Sequence, residues 1–355
     1  MEKFFKDSNE IIYNNIILNF KNNRTKGKVM DKFDLIKKAL KAEPTEKVPY
    51  AIWKHFPEFD KSPEGLLKAQ MEFQTKFDSD IMKISISGRA FANDFGAELG
   101  GYDPDSGSRI CVKYPIKRLE DWENVKTVDI TTGEFGNQII AMKLIHQQVN
   151  GKIPTMMTVF SPFMVASQID PNMILHYRED PQLIGEQFKV VITAMTDFAK
   201  ASLDAGADGL FLATQHFNNK LTENERMELE FVPMKSLIKK TVKKNNFLVL
   251  HLHGDDPDFN LATKLPINAI NWHDQQTKPN LSEARKIFKG GLLGGLNAES
   301  WKDISNPEEV SSMISSIYKN FNSTGLILAP GCVIPQFVSD FIIEIAVNTI
   351  KNLKK

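Results

Sequence analysis

Residues 247–255 read Phe247-Leu248-Val249-Leu250-His251-Leu252-His253-Gly254-Asp255. The stretch opens as an unbroken apolar run, the pattern of a strand covered on both faces of a parallel sheet. It turns polar where that strand ends. Helical periodicity occupies 223–244 before it and 258–264 after it. A buried strand between helices, with polar side chains gathered at its C-terminal end, is the repeating unit of an α/β fold. Side chains two apart on a strand point the same way, so His251 and His253 project together while Leu250 and Leu252 face the helices.

The same unit recurs along the chain. Further strands are predicted at Val48–Trp53, Ile81–Ser85, Thr155–Phe160, Gly209–Ala213, Ala269–Trp272, Gly291–Leu296 and Gly325–Ala329, which with 247–253 makes eight. Helices are predicted at 63–77, 133–149, 181–205, 280–289, 307–321 and 335–353 besides the two already given. Eightfold alternation is met by a closed barrel or a doubly wound sheet. No GxGxxG or GxxxxGKS follows any of these strands, which removes the usual support for a doubly wound nucleotide-binding fold. The expected architecture is a (β/α)8 TIM barrel over residues 30–355. Residues 1–29, rich in Lys and Asn, form an N-terminal extension read as a frayed or surface-docked helix. A short amphipathic helix through Phe33, Leu35, Ile36 and Leu40, stopped by Pro44, precedes the first strand. The connection after the second strand, from Gly88 to Asp129, is long enough to act as a lid over the catalytic face.

Composition narrows the function. Lys plus Arg equals Asp plus Glu at 44 each, so no net charge draws the chain toward nucleic acid or an anionic membrane. The two cysteines, Cys111 and Cys332, form no CxxC pair, which argues against a disulfide framework and for a reducing, cytoplasmic setting. No apolar run reaches the length of a membrane span. The apolar residues near the N-terminus are interrupted by Asn14 and Asn15 and are not read as a signal peptide.

In a barrel, chemistry sits where strands end. His251 and His253 close the fifth strand, and Cys332 follows the eighth in Ala329-Pro330-Gly331-Cys332. Two imidazoles and a thiolate make a three-ligand zinc set with one tetrahedral position open for water, substrate or an acid. Equally, two histidines orient a phosphate or carboxylate without metal, and Cys332 serves as a small buried hydrophobe. Asp80 adjoins the second strand. Ser161 and Phe163 follow the third, Gln215 and His216 the fourth, Asn271 and His273 close the sixth, and Asn297 closes the seventh.

These motifs together resemble the uroporphyrinogen decarboxylase superfamily from about Met30 to the C-terminus. Glu46-Lys47-Val48-Pro49 is similar to the family's lead into the first strand, and FDSDIMKIS (77–85) to its F-x-DI segment, which implies that Asp80 is the key aspartate. TVFSPFMVAS (158–167), DAGADGLFLA (204–213), INWHDQQTKPNLSEARKIF (270–288) and LLGGLNAES (292–300) match further family stretches. LILAPGCVIP (326–335) resembles the ending of the family's zinc-dependent methyltransferases. The decarboxylases carry an arginine-bearing segment that holds substrate carboxylates. Here it reads Trp53-Lys54-His55-Phe56-Pro57-Glu58-Phe59, without arginine. The methyltransferase branch has a His-x-Cys … Cys zinc pattern. This chain has His251-Leu252-His253 … Cys332, and Asn271 where Asp often precedes Trp.

The resemblance implies a zinc-dependent enzyme moving a methyl group between a corrinoid and a thiol, with the corrinoid carried by a separate partner protein. Zinc on His251, His253 and Cys332 would lower the pKa of a bound thiol. Asp80, Cys332 and His251 are then the catalytic residues. Lys54, His55, Ser161, Gln215, Asn271, His273 and Asn297 are the substrate-binding set. Two alternatives stand beside it: a decarboxylase of a tetrapyrrole or smaller acid, and a non-catalytic barrel binding a corrinoid or a partner. The oligomeric state is left open, a homodimer included.

Overall fold

A computed structural model of the protein describes residues 31–353 apart from Asn219, Ser305 and Asn322. The extension expected over 1–29 lies outside the described residues. The centre is a curled parallel sheet of seven strands. They are β1 (Met82–Ile84), β4 (Thr155–Phe160), β5 (Gly209–Thr214), β6 (Phe247–Leu252), β7 (Ala269–Trp272), β8 (Gly291–Leu296) and β9 (Leu326–Pro330), adjacent in that order. Two more strands, β2 (Glu98–Tyr102) and β3 (Arg109–Lys113), form a separate antiparallel ribbon. Nearly every residue of the central strands is buried, which explains why they read as continuous apolar runs rather than alternating ones.

The helices between the strands start where their sequences supply caps. The Ser62 hydroxyl accepts from the Gly65 N–H ahead of Pro63–Phe77, and the Asp180 carboxylate accepts from Leu183 ahead of the long helix Pro181–Asp204. Asn280 and Glu283 make a reciprocal capping box for Leu281–Ile287. The first described helix, Lys32–Leu40, buries Leu35, Ile36, Ala39 and Leu40. It lies against the start of β8, where a Cβ on Gly291 would stand 3.1 Å from the Leu40 Cα. This helix therefore covers the N-terminal end of the sheet and leaves the C-terminal end for chemistry.

The strand expected at 48–53 is not formed. The segment runs beside β9 with one bridge, Tyr50 to Leu328. There Ala51 N–H donates to Leu328 O and Leu328 N–H to Pro49 O, each at 2.9 Å. On its other side, side chains take the place of a ladder. Tyr50 N–H donates to the Asp80 carboxylate at 3.1 Å and Ile52 N–H to the Ser79 hydroxyl at 3.2 Å. Pro49 has no N–H to offer. Regular pairing therefore gives way to hydrogen bonds that period and propensity do not reveal.

The long connection 88–129 is not a bare loop. It holds the short helix Ala90–Asp94, the β2–β3 ribbon and a 3-10 turn, Leu119–Asn124. Since it leaves the C-terminal end of β1, it stands on the same side of the sheet as the ends of β6, β7 and β9. No helix among the described residues is long and apolar enough to cross a membrane.

Candidate metal centre and active site

Parallel register brings the polar strand ends to one level. His251 pairs with Asn271 across β6 and β7, and with Ala213 across β6 and β5. His253 directly follows β6, His273 directly follows β7, and Cys332 lies two residues past β9. The ligand atoms of His251, His253, His273 and Cys332 all fall within 4.8 Å of one another. His253 Nδ1 sits 3.4 Å from His273 Nε2 and 3.4 Å from Cys332 Sγ.

Partners outside the cluster orient its rings. The Asn271 amide donates to Leu293 O and Pro330 O, both at 3.0 Å, so its carbonyl oxygen faces His251 Nδ1 at 2.6 Å. That oxygen only accepts, so Nδ1 carries the proton and the Nε2 lone pair is left for the cluster. Phe211 stacks on the same ring with centroids 5.3 Å apart. Burial, together with His253, His273 and Lys83, holds the His251 pKa well below the ordinary imidazole value, and burial lowers that of His253 as well. Both therefore stay neutral, the form that binds metal. At His273 burial also pulls down, but Cys332 outweighs it and the net shift is upward.

The cluster opens on a cavity of about 320 Å³. The lining includes Trp53, His55, Lys83, Arg89, Tyr114 and Gln215, with Ser106 and Ser108 contributed by the long connection after β1. Lys83 projects inward from the middle of β1. Its Nζ lies 4.8 Å from the Phe211 ring centre, 5.8 Å from that of Trp53 and 3.3 Å from the Ser85 hydroxyl. Burial pushes its pKa down to about 7, with Cys332 acting in the opposite direction. Among the described residues the lining holds Lys83 and Arg89 and no carboxylate.

The sequence matches the family model for uroporphyrinogen decarboxylase (URO-D) over residues 32–353. The chain belongs to the uroporphyrinogen decarboxylase family. Among its curated relatives is the methylcobamide:CoM methyltransferase MtbA of Methanosarcina mazei, 20% identical over 341 residues, covering 89% of this chain and 96% of the relative. MtbA of Methanosarcina acetivorans is likewise 20% identical over 340 residues, with 89% and 96% covered. Among solved structures, a methyltransferase from Methanosarcina mazei superposes with a TM-score of 0.76 at 16% identity, over 90% of this chain and 97% of that one. A B12-independent methionine synthase from Shewanella sp. W3-18-1 gives 0.55 at 13% identity, over 86% and 93%. These two show a shared fold.

Within this member of the uroporphyrinogen decarboxylase family, the residues singled out from sequence divide into three groups. His251, His253 and Cys332 converge, and His273, expected to bind substrate, stands among them. His55 and Gln215 line the cavity. Burial and Lys83 press the His55 pKa down to about 3. Asn297 lies beside His273 and Cys332 in a small adjoining recess. The others are elsewhere. Asn271 holds His251 rather than facing the cavity. Ser161 is fully buried and caps the helix Pro162–Ile169 through Met164 N–H. Lys54 points into an outer groove with Phe59 and Asp340.

Asp80 is not brought to the site. It precedes β1, at the end of the sheet opposite Cys332, where it is fully buried and pairs with Lys47 Nζ at 2.6 Å. The residues past the C-terminal end of β1 are Ser85, Ile86 and Ser87. Sequence reasoning missed Lys83, although one lysine inside the apolar run Ile81–Ile86 is itself a signal of an inward-facing charge. It also missed Glu230. This residue is buried on a turn of π-helix, Arg226–Phe231, facing Ser161 and Thr214, and burial lifts its pKa to about 7.

Proposed function

We propose that this protein is a corrinoid-dependent methyltransferase that moves a methyl group between a methylcorrinoid and a thiol. The observation that carries the reading is the His251, His253, His273 and Cys332 cluster, of which His251, His253 and Cys332 line the cavity. The names of the Methanosarcina relatives support it. The donor set, three imidazoles plus one thiol with outer partners already in place, fits zinc. The seven-stranded sheet is read as a (β/α)8 barrel in which 48–53 occupies the remaining position, supported by its hydrogen bonds to Leu328 and Asp80. The corrinoid is read as arriving on a partner protein, and the setting as the cytoplasm, where Cys332 stays reduced.

When bound, zinc supplies a Lewis acid that favours the thiolate form of an acceptor thiol at neutral pH. The chain's own residues do the rest. His251 and His273 present Nε2, and Cys332 its sulfur. The aromatic walls at Trp53, Phe160 and Phe211 exclude water. Lys83 and Arg89, with no carboxylate among the lining residues, favour an acceptor that carries a negative group. An anion beside the Lys83 ammonium restores the charge that burial disfavours.

The direct test follows demethylation of methylcobalamin by absorbance with an anionic thiol as acceptor. Turnover is expected, and uroporphyrinogen decarboxylation is expected to be absent, because no arginine stands in the 53–59 segment to hold its carboxylates. Decarboxylation at the rate of a dedicated enzyme, with no methyl transfer, overturns the reading. Lys83→Met is expected to raise KM for 3-mercaptopropionate by about 10–100-fold, the loss of a charge-assisted hydrogen bond. KM for the neutral 2-mercaptoethanol should hardly move. Equal effects on the two thiols would count against an anion at Lys83.

A further inference from the structure

The two outer partners of the cluster are built differently. Asn271 is fully buried and pinned by backbone carbonyls of β8 and β9. His273 is oriented from the surface. Its Nδ1 lies 2.9 Å from Gln276 Oε1, and the Gln276 amide nitrogen donates to Glu299 Oε2 at 2.5 Å. Gln276 belongs to the turn after β7, where its N–H donates to His273 O at 2.8 Å. Glu299 sits in the 3-10 turn after β8, and both side chains are exposed.

A glutamine amide is ambiguous by itself: either end can face the ring. Glu299 removes the ambiguity. An ionised carboxylate has no hydrogen to give, so it accepts from the Gln276 NH2 and turns Oε1 toward His273. That oxygen accepts only, so His273 carries its proton on Nδ1. The Nε2 lone pair then faces His253 Nδ1 and Cys332. Reversing the amide would put a donor against Nδ1, move the imidazole proton to Nε2 and aim that proton into the cluster.

We propose that Glu299, acting through Gln276, is a positioning residue that sets the tautomer of His273 and so decides whether the cluster offers its metal four donors or three. The proposal rests on the metal reading of the cluster. Glu299 does not line the main cavity; its hydrogen-bonded route to the cluster runs through Gln276 to His273, while its charge also bears on His253.

The test is a reversal of polarity. In Glu299→Lys the ammonium donates to Gln276 Oε1 and turns the NH2 toward His273. Zinc affinity, measured on the full chain by competition with a chromophoric chelator, is expected to fall about 10–100-fold. Glu299→Gln can present either end of its own amide, so it no longer fixes Gln276 and should fall between the wild type and Glu299→Lys. A second readout needs no metal. Nitrogen-15 NMR of the zinc-depleted chain, recorded at alkaline pH because the His273 pKa is shifted upward, should show His273 protonated at Nδ1 in the wild type and at Nε2 in Glu299→Lys. Both substitutions are on the surface, so melting temperatures should be close to that of the wild type. An unchanged zinc affinity or an unchanged tautomer in Glu299→Lys overturns the relay. If the wild type takes up no zinc while Glu299→Lys still moves the His273 proton, the metal reading falls and the hydrogen-bond relay stands alone.

Discussion

Replacing Cys332 with serine is expected to strip most of the zinc from the purified protein and to abolish nearly all methyl transfer. The wild type should carry about one zinc per chain, the stoichiometry of a single centre. A serine hydroxyl does not ionise near neutral pH and is a poor zinc ligand, whereas the cysteine thiolate is the only anionic donor in the cluster. Loss of the Lewis acid removes several kcal/mol from transition-state stabilisation, or about a thousand-fold in rate. Folding should be spared, because Cys332 is partly exposed on the loop beyond β9 and outside the packed layers. His253→Cys makes the opposite change, giving the cluster a second thiolate, and should retain the metal. Metal analysis of the three proteins checks this without reference to activity. Full zinc occupancy in Cys332→Ser would mean that His251, His253 and His273 hold the metal without the thiolate, as three histidines can. A wild type that takes up no zinc would instead mark His251 and His253 as binders of an anionic group.

Strand positions were largely legible because the central strands are covered on both faces. Burial on both faces produces continuous apolar runs, and β7 and β8 begin and end where those runs do. His251 and His253 at the end of β6 were legible for a related reason: in a buried strand, polar residues at one end have nowhere to point but the mouth. The segment 48–53 looked the same by composition. What it lacks is a regular partner, because the Asp80 carboxylate and Ser79 hydroxyl intercept its N–H groups, and residue periodicity carries no trace of that. His273 shows a different limit. Its place beside Asn271 and Trp272 was clear, but whether it lines the cavity or joins His253 depends on Gln276 and Glu299, two exposed loop residues whose relation to the ring exists only in three dimensions.

Asp80 illustrates the same point with a measurable consequence. Asp80→Ala is expected to destabilise the fold by about 2–4 kcal/mol while leaving zinc content and the kcat of the folded enzyme unchanged. The carboxylate is fully buried. One oxygen accepts from Tyr50 N–H at 3.1 Å and the other pairs with Lys47 at 2.6 Å. Alanine leaves the buried Tyr50 N–H without a partner, which alone costs about 1–3 kcal/mol. Lys47 is 41% exposed, so water compensates its ammonium, and the ion pair adds less than a fully buried one would. The backbone contact in the other direction, Asp80 N–H to Tyr50 O at 2.9 Å, survives the substitution. Asn in place of Asp keeps an oxygen for Tyr50 N–H and should cost about half as much. Urea denaturation compares the three proteins, and initial rates are taken well below the transition. A large fall in kcat with unchanged stability would return Asp80 to the catalytic role that the F-x-DI resemblance implied. Lost stability with intact turnover identifies it as the clasp that holds 48–53 against the start of β1. In that position it keeps the opposite end of the sheet in register for His251, His273 and Cys332 without touching any of them.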